Sequence, residues 1–250
     1  MADISRRTFG QQTLGSLLTF SLLESLFSSD VFADAVKPVT ARWLKELNDL
    51  GQSVKDKKLE QVVWQKQVES LFDQVNLPEL LKFVDFEKLV NEVKFRRRGE
   101  TSLRRRFPEV EGLPTRLVFG HQIFALQKDR SVVPHGHDNM ATAFLVLRGD
   151  FRGRHYERLA DEGTEHMIIK PSIDRSFTSG EYSTVSDHKD NVHWFKATSE
   201  TGFIFNIHVT GIDSGRRSGR VYVDPNGEKL SDGRIRARRL KWAESRKLYG

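Results

Sequence analysis

From Ala35 to about Phe95 the apolar residues recur at the three- and four-residue spacing of amphipathic helices: Trp43, Leu44, Leu47 and Leu50, then Val62 and Val63, then Leu71, Phe72 and Val75. Pro78 starts a further run through Leu80, Leu81 and Val84, because proline is tolerated in the first turn of a helix. The pattern predicts three or four helices that pack on one another or on the rest of the fold. From Leu117 to about Val223 it changes to short runs rich in branched and aromatic residues. These are Leu117-Val118-Phe119, Ile123 to Leu126, Phe144 to Leu147, Met167-Ile168-Ile169, Val192 to Phe195 and Phe203 to Val209. Short strands separated by turn residues predict a barrel or a sandwich.

The beginning of the chain fits neither pattern. Ser5-Arg6-Arg7-Thr8-Phe9-Gly10 precedes a mostly apolar run from Leu14 to Phe27, and Val31-Phe32-Ala33 supplies tolerated residues before a cleavage point. Charged, apolar and cleavage regions in that order read as a twin-arginine signal peptide over residues 1–33. The apolar run is too short, and too interrupted by serine and Glu24, for a stable membrane span. The expected partner of this segment is the twin-arginine translocase, and the expected location is the periplasm or beyond. The remaining divisions are a helical region over 34–107, a β-barrel over 108–225 and a basic C-terminal extension over 226–250, whose Arg-rich sequence after the turn at Asn226-Gly227 is expected to wrap the barrel as a late strand and helix.

Composition adds limits. With no cysteine among 250 residues, no disulfide staples the fold and no thiolate serves as ligand or nucleophile. The formal charge of +6 gathers in Arg96-Arg97-Arg98, Arg104-Arg105-Arg106, Arg216-Arg217 and the tail from Arg234 to Arg246. Such runs read first as solvated faces, with contact to an anionic surface left open. Nucleic-acid binding is disfavoured by export and by the lack of a reading motif. Hydrolase, nucleotide and nicotinamide readings have no elbow, phosphate loop or dinucleotide fingerprint to rest on.

The chemistry concentrates in Pro134-His135-Gly136-His137. Alternate residues of a strand point to one face, so His135 and His137 present two imidazoles together, half of a metal site. Gly149 comes twelve residues after the second histidine, across the strand Ala141 to Leu147, and His193 stands downstream on another strand as the third ligand. His188 is the rival for that third place, although Ser186-Asp187-His188-Lys189 reads as a polar turn. His208 either lines a pocket or is a hydrogen-bonded core residue, and His121, His155 and His166 have no partner at useful spacing.

This arrangement resembles the first motif of the cupin superfamily, in which two histidines, a glutamate and a closing glycine frame a metal in a small barrel. Thr142 occupies the glutamate position, so the resemblance implies a three-histidine site at His135, His137 and His193. Within that superfamily the chain is similar to the thiol dioxygenases of the cysteine dioxygenase kind, over roughly Arg116 to Gly211. By that match His208 is the outer-sphere histidine of a Ser-His-Tyr relay, with Asn206 in place of the serine and Thr210 in place of the tyrosine. His208 and Thr142 are thus the implied catalytic positions.

The implied fold is mainly β, a cupin-type double-stranded β-helix (jelly-roll) barrel with an N-terminal α-helical region. The implied cofactor is Fe(II), with another divalent transition metal as the alternative. Three neutral ligands leave the metal charge uncompensated and coordination positions open for an anionic substrate and dioxygen. Arg116, Arg148 and Arg154 are the candidates for holding a substrate carboxylate. The expected function is that of an exported mononuclear non-haem iron dioxygenase acting on a small anionic, thiol or amino-acid-like substrate; the alternative is a non-catalytic metal- or ligand-binding periplasmic cupin.

Overall fold

The computed structural model describes residues 30–104 and 106–250. The export signal expected over 1–33 therefore falls, up to residue 29, outside the described residues.

Four helices come first: α1 (Asp30–Lys55), α2 (Gln61–Phe72), α3 (Leu77–Phe83) and α4 (Phe86–Glu92). In α1 the buried Ala41, Leu44, Leu47 and Val54 form one stripe at helical spacing, and α2 does the same with Trp64, Val68, Leu71 and Phe72. The entry to α3 is fixed by Asn76, whose side-chain oxygen accepts the Glu79 backbone N–H at 3.3 Å, next to Pro78 in the first turn. No helix of the described residues is long and apolar enough to cross a membrane.

The strands are β1 (Thr101–Leu103), β2 (Gly120–Gln127), β3 (Ser131–Asp138), β4 (Met140–Arg148), β5 (Phe151–Glu162), β6 (His166–Phe177), β7 (Tyr182–Val185), β8 (Val192–Ala197), β9 (Thr201–Thr210), β10 (Gly219–Lys229) and β11 (Ile235–Leu240). They form two sheets. The first runs β1-β2-β9-β4-β7, and the second, β10-β11-β6-β5-β8-β3, closes on itself through pairing of β3 with β10. From β2 to β9 the chain passes repeatedly from one sheet to the other, with every pairing antiparallel. This is the double-stranded β-helix expected from the sequence, with a helical region ahead of it.

The first sheet is covered on both faces, which explains why β4 and β9 read as nearly continuous apolar runs. On β4, Ala141, Ala143, Leu145 and Leu147 pack against the helices, together with Phe203, Phe205, Ile207 and Val209 of β9. The alternate residues Phe144, Val146 and Ile204 face inward and pack on Phe151, Phe177 and Phe195 of the second sheet. A phenylalanine buried in this way, such as Phe205, contributes about 3–5 kcal/mol. A smaller cluster around Met167, Ile169, Val192 and Val223 occupies the other face of the second sheet. Between β4 and β5, Gly149 has φ +81°, and a Cβ there would lie 2.3 Å from the Thr201 carbonyl oxygen, so the turn admits only glycine.

The C-terminal residues do more than extend the barrel. The boundary drawn at 225 falls within β10, and β11 joins β10 to β6 to complete the closed sheet. Ile235, Ala237 and Leu240 supply its buried positions, while Arg236 and Arg238 point outward to Glu162 and Glu244 at 2.6 and 2.7 Å. The Arg-rich sequence thus forms the late strand expected of it, although Asn226 and Gly227 lie within β10. Helix α5 (Trp242–Tyr249) then packs beside β3 and β10.

Candidate metal centre

Strand β3 carries a register shift between Val132 and His135, where Pro134, which has no N–H to give to a ladder, is accommodated. Beyond the shift His135 and His137 share the inward face. His135 stands directly across from His193 of β8. Ring centroids are 4.3 Å apart for His135 and His193, 4.9 Å for His137 and His193, and 5.0 Å for His135 and His137. One ring nitrogen from each of the three lies within 4.8 Å of the other two, and the group contains no carboxylate. All three residues are buried, at 3%, 2% and 0% exposure for His135, His137 and His193.

The donor atoms fit a transition metal. Nδ1 of His135 donates to the Val133 carbonyl at 2.8 Å, the tautomer that leaves its Nε2 lone pair free. Nδ1 of His137 lies 3.2 Å from Thr142 Oγ1, and its Nε2 has no hydrogen-bond partner. Neither ring nitrogen of His193 has a partner. Buried polar atoms are normally satisfied, so unpartnered ring nitrogens on His137 and His193, within 4.8 Å of a nitrogen of His135, fit a ligand set. A small inward movement would bring them to the roughly 2.0–2.1 Å that imidazole nitrogens keep from such an ion. Burial, reinforced by the neighbouring rings and by Arg220, holds the proton affinity of all three well below that of a free histidine. They are therefore neutral, as ligation requires.

The backbone of the second histidine is clamped as well. Asn191, two residues before His193, accepts the His137 N–H at 3.3 Å and donates to the His137 carbonyl at 2.8 Å and the Ser186 carbonyl at 2.9 Å. One side chain thus ties both ligand strands together.

The remaining residues singled out from sequence separate clearly. Thr142 is buried on β4 at the inward face, across from His208 of β9, and its hydroxyl partners His137. His208 is half-buried with Nδ1 unpartnered, and burial, aided by Arg220, lowers its pKa to about 4. Its ring occupies the space over Gly120, where a Cβ would come within 2.4 Å of Nε2. Asn206 is buried beside it and accepts from Gln122 Nε2 at 3.4 Å, while Thr210 lies at the rim of a cavity. His188 is exposed in the turn before β8 and is not part of the cluster. Of the arginines, Arg148 pairs with Glu87, Arg154 pairs with Asp174 at 3.3 Å and lies over Trp194, and Arg116 lines a separate cavity. None of the three faces the histidines.

Three residues that the sequence pattern did not single out lie beside the cluster. Arg220 and Tyr222 of β10 stand directly across from His137 and His135, so they share their face, and the Tyr222 ring is 5.8 Å from that of His135. His155 of β5 is the cross-strand partner of His193, with ring centroids 6.3 Å apart, and its Nε2 is 3.1 Å from Ser183 Oγ. Alternation in Arg220-Val221-Tyr222-Val223 was the available signal, but it could be used only once the pairing of β10 with β3 was known. Arg220 and His208 also border a cavity of about 880 Å³ together with Arg96, Arg104 and His121.

No family model matches the chain, and no curated protein matches it in sequence. Solved structures are similar in part. Procruciferin, an 11S globulin from Brassica napus, aligns at 11% identity and TM-score 0.31 over 42% of this chain and 23% of its own length. An uncharacterized conserved protein with a double-stranded beta-helix domain from Klebsiella pneumoniae aligns at 9% identity and TM-score 0.36 over 54% and 87%. KdgF from Halomonas sp. aligns at 13% identity and TM-score 0.28 over 36% and 66%. At these scores the likeness says nothing about chemistry, and the assignment of the barrel rests on the strand topology.

Proposed function

We propose that the chain is an exported mononuclear non-haem metalloenzyme, an iron-dependent dioxygenase of the three-histidine cupin kind acting on a small anionic substrate. The observation that carries this reading is the buried, neutral, carboxylate-free cluster of His135, His137 and His193, with unpartnered ring nitrogens on His137 and His193. Ferrous iron held there would supply open coordination positions and the redox chemistry needed to use dioxygen.

The chain's own residues have defined tasks. Thr142 and Asn191 orient His137. Arg220, across from His137, holds an anionic group of the substrate by charge-assisted hydrogen bonds. His208, neutral at neutral pH, accepts a proton at a ring nitrogen on the cavity wall. The aromatic rings of Phe144 and Phe195 exclude water from the inner side of His193.

A second reading, a metal- or ligand-binding cupin without turnover, is favoured by one observation. None of the three histidines lines the neighbouring cavity, and His193 is wholly buried. Metal analysis combined with an oxygen-consumption screen separates the two. Close to one transition metal per chain is expected, lost in His137→Ala and kept in His188→Ala. Iron with substrate-dependent oxygen uptake supports the dioxygenase; tight metal with no uptake across small anionic thiols and amino acids supports the binding protein. Full metal retention in His137→Ala overturns both.

A further inference from the structure

The cavity beside the cluster is more basic than a site for one carboxylate requires. Arg96 comes from the segment after α4, Arg104 from the segment after β1 and Arg220 from β10, and all three line the same 880 Å³ space with His121 and His208. A single carboxylate, Glu100, lines it. Among the described residues none of the three guanidinium groups makes an ion pair or a side-chain hydrogen bond. Elsewhere on the barrel Arg158, Arg175, Arg236 and Arg238 each hold a carboxylate at 2.5 to 2.7 Å. Like charges brought together without counterions repel, and each unused guanidinium keeps a planar fork that matches an oxyanion group. The space also lies within the roughly 300–1,000 Å³ of small-molecule sites and far exceeds what an acetate-sized ion fills.

We infer that this cavity binds a small molecule bearing two or more oxyanion groups, carboxylate or phosphate. One group is held at Arg220 next to the metal-binding histidines, and another at Arg104 and Arg96 nearer the mouth. Phe124 and Met140, which also line the cavity, contact the carbon skeleton between the groups. The inference rests on the proposed function for the identity of the ligand as substrate, whereas the binding itself depends only on the arginines.

The test is calorimetric titration of metal-free and metal-loaded protein with acetate, succinate and citrate, and separately with inorganic phosphate and pyrophosphate. Succinate and citrate, or pyrophosphate, should bind at least tenfold more tightly than the simplest member of their series, and the two series identify the oxyanion. Arg104→Gln should reduce the preference to near unity, Arg220→Gln should weaken every anion, and Arg148→Ala should change neither. Arg104 and Arg220 are exposed and Arg148 is paired at the surface. Folding of each variant is checked by circular dichroism, and a variant that fails this check is replaced by the lysine substitution at the same position. Multivalent and simple anions binding alike in both series, or full affinity in Arg104→Gln and Arg220→Gln, overturns the inference. Absence of bound metal with the anion preference intact would instead remove the metalloenzyme reading and leave the anion site standing.

Discussion

Replacing Thr142 with valine removes one hydroxyl and almost no volume. That hydroxyl is the 3.2 Å partner of His137 Nδ1 at a position only 2% exposed, so water cannot take its place. When His137 binds a metal through Nε2, its proton must sit on Nδ1 and donate to Thr142. In Thr142→Val the N–H is buried without an acceptor, at a cost of about 1–3 kcal/mol. Moving the proton to Nε2 would instead occupy the lone pair the metal needs. The metal-bound state carries the penalty either way, and because the metal-free state shares part of it, affinity should fall by up to about tenfold, at about 1.4 kcal/mol per factor of ten. In the metal-free protein Nε2 has no partner to receive the proton, so stability falls as well, and affinity falls by the extra strength that a cation at Nε2 lends to the Nδ1–H bond. Competition against a chromophoric chelator measures the affinity, and the melting temperature of the metal-free protein measures the stability. Thr142→Ser, which keeps the oxygen, should remain near the parent. Parent affinity in Thr142→Val, or an equal loss in Thr142→Ser, would refute the role assigned to the hydroxyl.

Two further outcomes are expected. Burial, with Arg175 and Lys189 adding to it, lowers the His155 pKa from 6.5 to about 3. The unfolded chain therefore takes up a proton below pH 6.5 that the folded chain refuses, and stability complete above pH 6.5 is lost as pH falls toward 3, by up to about 1.4 kcal/mol per pH unit per histidine of this kind. The urea midpoint of metal-free protein should hold steady above pH 7 and drop between pH 6.5 and 5, and a flat profile over that interval would contradict the buried, neutral rings. Lysine at both Arg6 and Arg7 should leave precursor in the cytoplasm, because the guanidinium fork is not reproduced by an ammonium; unchanged periplasmic yield on immunoblotting of fractions would dismiss the twin-arginine reading.

Legibility in the sequence followed burial. Strands covered on both faces, such as β4 and β9, were plain because nearly every position is apolar, and the His135–His137 pair was plain because a two-residue period needs no tertiary knowledge. Strand β5 was not, since Arg152, Arg154 and Arg158 interrupt the apolar pattern and find their acids only in the folded barrel. Asp161, also on β5, pairs with Arg158 and Arg239, both at 2.7 Å. The same blindness hid Arg220 and Tyr222. Their place next to the histidines is set by the register of β10 on β3, a pairing between strands far apart in sequence that no local pattern encodes.

The helical region is joined to the candidate metal centre by a continuous set of hydrogen bonds. Gln61, the first residue of α2, accepts the Asp187 N–H at 2.9 Å and donates to its carboxylate at 3.2 Å. That carboxylate accepts the backbone N–H groups of Asn139 at 3.0 Å and Met140 at 3.3 Å, in the turn directly after His137. Asn139, held at φ +58°, donates to the carbonyls of Asp213 and Arg216 at 2.8 and 2.7 Å, on the connection leading to Arg220. One network thus joins helix α2, the strand bearing two histidines, the loop before the third and the approach to the arginine facing them. Buried networks of this kind are worth having only when every member is satisfied, because each unpaired group inside costs about as much as a lost bond. The helices therefore do more than cover the outer face of a sheet: through Gln61 and Asp187, α2 fixes the turn that follows the strand carrying His135 and His137.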